Sequence, residues 1–364
     1  MSAAGRPVTL ADVAKKAGVS VATASFVLSG RGGARSSGSP ETKAKVRGAA
    51  EELGYVPNRN ARSLRTGRSG GIVLALGTVE DPWGLSLAGA VRDRALPEDL
   101  STLILGDERW FEFLSGSAFD CSFVTSIDFT PEGPEQVRHL ARGQGGIVAF
   151  SERIQPERFD VISSSAQPAV HAAYRRLRAR HDAVLFMSGR AIDPERRPYF
   201  PSRAHAFLDA AVEAGDGPGL DLVHASGVDR QQSFEYSQRW LEGPARPTAV
   251  ICSTGYQAMA LQVAAMHAGI SVPDDLEIIS IGDVPADAQM LGPISYYGVQ
   301  DVFARMADII VGRALDREGA PGQLHRFDWE FFPGGTTVDG TDGAAGSRAG
   351  GATGGGAGNE ADGA

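Results

Sequence analysis

Two textures of apolar and polar residues divide the chain. In the first, apolar positions recur at helical spacing in short stretches. Leu10, Val13, Ala14 and Ala17 share one face, and Thr9 followed by Asp12 has the spacing of a capping box, so a helix opens at Leu10. Gly18 supplies a positive φ for a tight turn, Val19 plugs a core, and Ser20 caps a second helix on which Ala24, Val27 and Leu28 repeat the spacing. Ser39-Pro40-Glu41 is a cap, a first-turn proline and an acidic first turn, predicting a third helix that runs to about Leu53 and ends at Gly54. Tyr55-Val56-Pro57 reads as extended. Asn58 to Thr66 is a fourth helical stretch, below the roughly 12 residues an isolated helix needs.

From Gly70 the second texture begins. Apolar runs such as Ile72–Leu76, CSFVTSI, GGIVAF, Ala183–Met187, Ala249–Cys252 and Leu276–Ile281 read as strands. They alternate with helical segments at Pro82–Arg94, around Arg109–Leu114, Val137–Ala141, Ala169–Arg180, Ala204–Ala214, Phe234–Leu241 and Ala258–Ala268, and Leu220–Ala225 continues the series. Such alternation predicts parallel sheets with helices on both faces, and this many repeats suit two lobes. After Val338 the chain turns Gly-rich and lacks the apolar surface to offset ordering entropy, which predicts a disordered tail.

Charge sharpens this division. The chain carries −9, yet residues 1–70 hold four Lys and eight Arg against four Asp or Glu, a balance of +8, leaving −17 on the remainder. A basic head on an acidic body suits phosphate binding by one end. Cys121 and Cys252 are the only cysteines, both in apolar strand-like runs, which predicts buried reduced thiols and a cytoplasmic protein. No cysteine or histidine spacing suggests a metal, no cofactor is implied, and no apolar run reaches the roughly 20 residues of a membrane helix. There is no GxSxG, no P-loop and no clustered His/Asp/Glu set, so no catalytic residues are assigned.

An eight-residue helix, a glycine turn and a second helix follow the helix-turn-helix plan, with Ser20, Thr23 and Ser25 placed for phosphate or base contacts. VTLADVAKKAGVSVATAS, ETKAKV, ELGY-x-PN and ARSLRTGRS together make residues 8–72 resemble the headpiece and hinge of the LacI/GalR family of bacterial transcription regulators. The resemblance implies DNA contacts from Thr9, Ser20, Val21, Ala22, Thr23, Ser25, Phe26, Asn58 and Leu64. Val21, Ala22 and Phe26 fall on base-reading positions, and Leu64 matches a leucine that wedges into the minor groove. Phe26 stands where relatives commonly have arginine; it either packs on thymine methyls or belongs to the core. The loop Arg31–Gly38 is longer than the family usually carries and is either solvated or a source of phosphate contacts through Arg31 or Arg35.

The resemblance returns from about Pro247 to Asp301 and is weak from Ala95 to Tyr199, where the first lobe looks shortened. Ligands of open α/β lobes sit at the carboxyl ends of strands. The resemblance places effector contacts at Asp81, Trp83, Arg203, Thr254 and Asp283; Trp83 either stacks on a ligand ring or belongs to the lobe core, and Arg203 either binds ligand oxygens or is a salt-bridged or solvated arginine. Three departures stand out. Thr254-Gly255 replaces Asn-Asp, Gly282-Asp283 replaces two consecutive acids, and Val228 lies near a position that is often aromatic. Losing an amide and a carboxylate implies a ligand less hydroxylated than a sugar, or no ligand.

The resulting expectation is an α/β protein with an N-terminal helix-turn-helix headpiece (1–57), a hinge helix (58–69), a two-lobed periplasmic-binding-protein-like core of parallel sheets (70–338) and a tail (339–364). Its expected function is a homodimeric repressor on a palindromic double-stranded DNA operator, controlled by a small molecule. The alternatives are a family member with an effector-independent pocket and, more remotely, a solute-binding protein.

Overall fold

The computed structural model describes residues 8–29, 39–56, 68–77, 82–107, 109–125, 127–143, 145–192, 202–217, 219–282, 292–316 and 318–338. The expected hinge helix, the Arg31–Gly38 loop and the tail lie outside the described residues, as do Asn58, Leu64, Asp81 and Asp283. Met1–Ser69 and Gly70–Ala364 form two compact units.

The first unit holds α1 (Leu10–Ala17), α2 (Val21–Ser29) and α3 (Pro40–Leu53). The Thr9 amide donates to the Asp12 carboxylate at 2.9 Å and the Asp12 amide to the Thr9 hydroxyl at 3.4 Å, the reciprocal capping box that starts α1. Gly18 and Gly54 end α1 and α3 at φ 67° and 64°, a conformation in which any Cβ is strained. Val13 and Ala14 of α1, Ala24 and Val27 of α2, and Val46, Ala49 and Ala50 of α3 form the core, with Val19 from the turn packed against it.

The second unit contains two six-stranded sheets. In the first lobe β1 (Gly71–Ala75), β2 (Ser101–Leu105), β3 (Cys121–Val124), β4 (Gly146–Phe150), β5 (Asp160–Ser163) and β11 (Leu324–Arg326) lie in the order β11-β5-β4-β3-β1-β2, all parallel. In the second lobe β6 (Leu185–Ser188), β7 (Val223–Ala225), β8 (Ala249–Cys252), β9 (Glu277–Ile281), β10 (Ser295–Gly298) and β12 (Glu330–Phe332) lie in the order β12-β10-β9-β8-β6-β7. The edge strand β12 alone runs antiparallel to its neighbour. The helices are α4 (Pro82–Ala95), α5 (Trp110–Ser115), α6 (Gly133–Leu140), α7 (Gln167–Arg178), α8 (Arg203–Glu213), α9 (Arg230–Glu242), α10 (Gly255–His267) and α11 (Val302–Leu315).

Three features go beyond the sequence reading. The two lobes have sheets with the same number of described strands, although the resemblance is weak across the first. Leu220–Ala225 is a single 3-10 turn followed by the short strand β7. The chain also crosses between lobes after β5, after β10 and between β11 and β12, so each sheet receives a strand from the far end of the sequence. Trp329, in the last crossing, packs against the cores of both lobes and donates its indole N–H to the Ser164 hydroxyl in the first crossing at 3.0 Å.

Cys121 and Cys252 are buried free thiols, and burial pushes both thiol pKa values far up, so neither is a thiolate nucleophile. Among the described residues, no helix is long and apolar enough to cross a membrane.

Candidate nucleic-acid interface and ligand cleft

At the first candidate surface, Ser20 starts α2. The Thr23 amide donates to its hydroxyl at 3.1 Å, and the two hydroxyls lie 2.9 Å apart. This cap fixes where the helix begins, and hence which residues turn inward. Ala24 and Val27 enter the three-helix core, and Leu28 packs against it. At about 100° per residue, Ala22 and Phe26 then lie on the opposite face, four apart. Phe26 is 48% exposed and Val21 49% exposed, while Ala22 is exposed and Thr23 and Ser25 are half-buried. Phe26 is therefore not buried in the headpiece core.

α2 carries no charged side chain. Cations come instead from α1 and α3. Lys16 pairs with Glu52 at 2.5 Å and Lys45 with Glu41 at 2.9 Å, both between exposed side chains, while Lys15 and Arg47 are exposed. Exposed pairs of this kind are loosely held, because water screens them. Thr9 is exposed with its hydroxyl in the capping box, so its clearest role in the structure is to start α1.

The second candidate surface lies in the core unit. Strand order in the second sheet reverses between β6 and β8, the point at which open parallel sheets leave a crevice. Here the crevice end is filled by Gln257, fully buried on the first turn of α10. Its carbonyl oxygen accepts from the Ser253 hydroxyl at 2.6 Å and the Thr254 hydroxyl at 3.2 Å, and its amide donates to the Ser226 hydroxyl at 3.0 Å. Ser226 in turn donates to the Ser188 carbonyl at 3.2 Å, and the Tyr256 hydroxyl donates to the Val228 carbonyl at 3.0 Å. The ends of β6, β7 and β8 are thus tied together by side chains.

Arg203, at the first turn of α8, donates through Nη1 to the Ser253 carbonyl at 2.5 Å and the Ile281 carbonyl at 3.0 Å. Its guanidinium carbon lies 5.3 Å from the centre of the Trp329 ring. Gly282 has φ 100°, and a Cβ there would come within 3.3 Å of Arg203 Nη1. The small residue at 282 and the position of the arginine are therefore linked. Trp83, at the start of α4, packs beside Phe150 and Phe303 at centroid distances of 5.9 and 6.2 Å, on the edge of the first-lobe core.

Of the expected cleft residues, Arg203 and Thr254 are joined through Ser253 and its neighbours, whereas Trp83 sits in the other lobe. Gln257, Ser226 and Trp329 were not singled out from the sequence. A signal existed for Gln257, because Thr254-x-x-Gln257 has capping-box spacing. In the structure, however, the Thr254 hydroxyl donates to the glutamine instead of accepting the helix amide.

Residues 9–58 match the family model described as bacterial regulatory proteins, lacI family, and residues 172–326 match a periplasmic binding protein-like domain. The HTH-type transcriptional regulator AglR of Rhizobium meliloti (strain 1021) is 27% identical over 344 residues, covering 87% of this chain and 91% of AglR. The HTH-type transcriptional repressor PurR of Pectobacterium carotovorum subsp. carotovorum (strain PC1) is 27% identical over 323 residues, covering 85% of this chain and 92% of PurR. Among solved structures, the lac repressor dimer bound to operator and the anti-inducer ONPF shares the fold. Its TM-score is 0.63 at 18% identity, over 92% of this chain and 100% of that one. These relatives are regulators and not enzymes. The lacI-family match at the head, the periplasmic-binding-protein-like match in the core and regulators aligned over most of both chains agree with the geometry: the chain carries a lacI-family DNA-binding domain and a periplasmic-binding-protein-like core, the two parts of LacI-family transcription regulators.

Proposed function

We propose that the protein is a cytoplasmic repressor that binds a palindromic operator as a homodimer. One headpiece (1–57) sits on each half-site, and the hinge (58–69) joins it to the core (70–338). The observation that carries this reading is the three-helix headpiece with an outward α2 face of Val21, Ala22 and Phe26, in a segment (1–70) that carries a +8 balance on an otherwise acidic chain. Ser20, Thr23 and Ser25 add hydroxyls for backbone contacts, and Thr9 orders the first helix beside them. Asn58 and Leu64 act in the hinge, with Leu64 as the minor-groove wedge. Two half-sites read by two copies of one short helix follow from the geometry of helix-turn-helix proteins.

In this reading the core senses a small molecule less hydroxylated than a simple sugar through Asp81, Trp83, Arg203, Thr254 and Asp283. A second reading, an effector-independent regulator, is favoured by one observation. The Thr254 hydroxyl and Arg203 Nη1 are already engaged with Gln257 and with the Ser253 and Ile281 carbonyls. A metabolite screen read by melting temperature separates the two.

The repressor reading is tested by selecting DNA with the full-length protein and measuring affinity against salt. If about six phosphates are contacted, counterion release predicts a loss on the order of 10³-fold between 50 and 200 mM salt. A flat salt response on the selected site overturns the proposal.

A further inference from the structure

We propose that α2 reads its half-site by apolar contact, with Phe26 and Val21 packing on thymine C5-methyl groups in place of paired hydrogen bonds to guanine or adenine. This inference rests on the DNA-binding reading above and names what that surface recognises.

Each base pair in the major groove offers hydrogen-bonding edges, and thymine adds a methyl group. Two-pronged recognition of guanine or adenine needs a forked or chain-end donor such as Arg, Lys, Asn or Gln. α2 holds none of these: its nine residues are VATASFVLS. What the helix presents outward instead is a short apolar ridge. Val21 stands on the first turn at 49% exposure, and Ala22 and Phe26 lie one turn apart on the face opposite the core, with Phe26 at 48% exposure. Ala22 between the two keeps the ridge low, so that the helix can approach the base edges closely. Thr23 and Ser25 flank the ridge with hydroxyls suited to phosphate or base edges without strong sequence preference.

The patch is too small for a stable protein interface, which needs about 800 Å² from each partner. A groove floor lined with thymine methyls is a surface it fits. Burying one methyl-sized group is worth about a fourfold change in affinity, so a palindrome with one contacted methyl per half changes by on the order of tenfold.

The test uses the full-length chain on DNA it selects from a random pool. Thymines in each half-site are replaced one at a time by deoxyuridine, which removes only the C5-methyl group, and affinity is read by fluorescence anisotropy. The inference expects at least one thymine per half whose replacement weakens binding about fourfold. It also expects Phe26→Ala, at a position outside the headpiece core, to bind more weakly and to lose that methyl dependence. Wild-type affinity indifferent to every deoxyuridine, or methyl dependence unchanged in Phe26→Ala, overturns the inference and leaves the regulator reading standing. Failure to select any DNA overturns both.

Discussion

Arg203 shows how one side chain can hold two strand ends together. Its Nη1 ties the carbonyls that follow β8 and close β9, and Gly282 leaves room for it there. Removing the side chain leaves two carbonyls without their charged donor, so Arg203→Ala is expected to lower core stability by about 2 kcal/mol, read as a lower melting temperature. The same residues bear on ligand choice. With Thr254 and Gly282 where an amide and a carboxylate are usual, a sugar would lose two hydrogen-bonding partners. At roughly 1–3 kcal/mol each, that weakens a sugar about 30- to 10,000-fold. Calorimetric titration of common mono- and disaccharides is therefore expected to show no micromolar binding. A simple sugar bound in that range, and lost in Arg203→Ala, would show that other side chains took over the role.

At the scale of elements, the headpiece helices are short and held by their ends. α1 has eight residues, a capping box and a glycine stop, and α3 has Ser39, Pro40 and Gly54 in the same offices. These signals act over three or four residues, so they were readable without any knowledge of the fold. The segment Asn58–Thr66 is shorter than the roughly 12 residues an isolated helix needs. Its order is proposed to come from DNA and from its copy in the second subunit. Leu64→Ala is expected to bind a selected operator at least about tenfold more weakly and to bend it less, while melting at the wild-type temperature. Bending unchanged in a permuted-fragment mobility assay would assign Leu64 to packing alone.

At the scale of the molecule, the first lobe ends in an apolar edge. β2 closes one side of its sheet, and Leu103 and Ile104, pointing to opposite faces, are 44% and 45% exposed. Leu85 on the neighbouring α4 is 61% exposed. An open apolar edge of this kind invites pairing with another chain unless it is covered. In the homodimer proposed above, a second copy is the cover this edge is expected to find. Leu103→Glu combined with Ile104→Glu is expected to turn a dimer into a monomer in sedimentation and to cost roughly 10²-fold in operator affinity, because the second headpiece is no longer held nearby. A variant that still sediments as a dimer places the interface elsewhere.

The sequence alone determined the three headpiece helices and their boundaries, the α/β class of the core and the burial of both cysteines, because caps, glycine stops and apolar periodicity are local. Tertiary structure decided the rest. Whether Phe26 faces in or out depends on where α1 and α3 place the core. Strands such as Asp160–Ser163 and Leu324–Arg326 are too short to show a period; the first is held between β4 and Leu324–Arg326, and the second pairs with it across more than 160 residues. Gln257 joins Ser226 and Ser253 because β6, β7 and β8 end side by side, and no spacing along the chain encodes which strands are neighbours in a sheet.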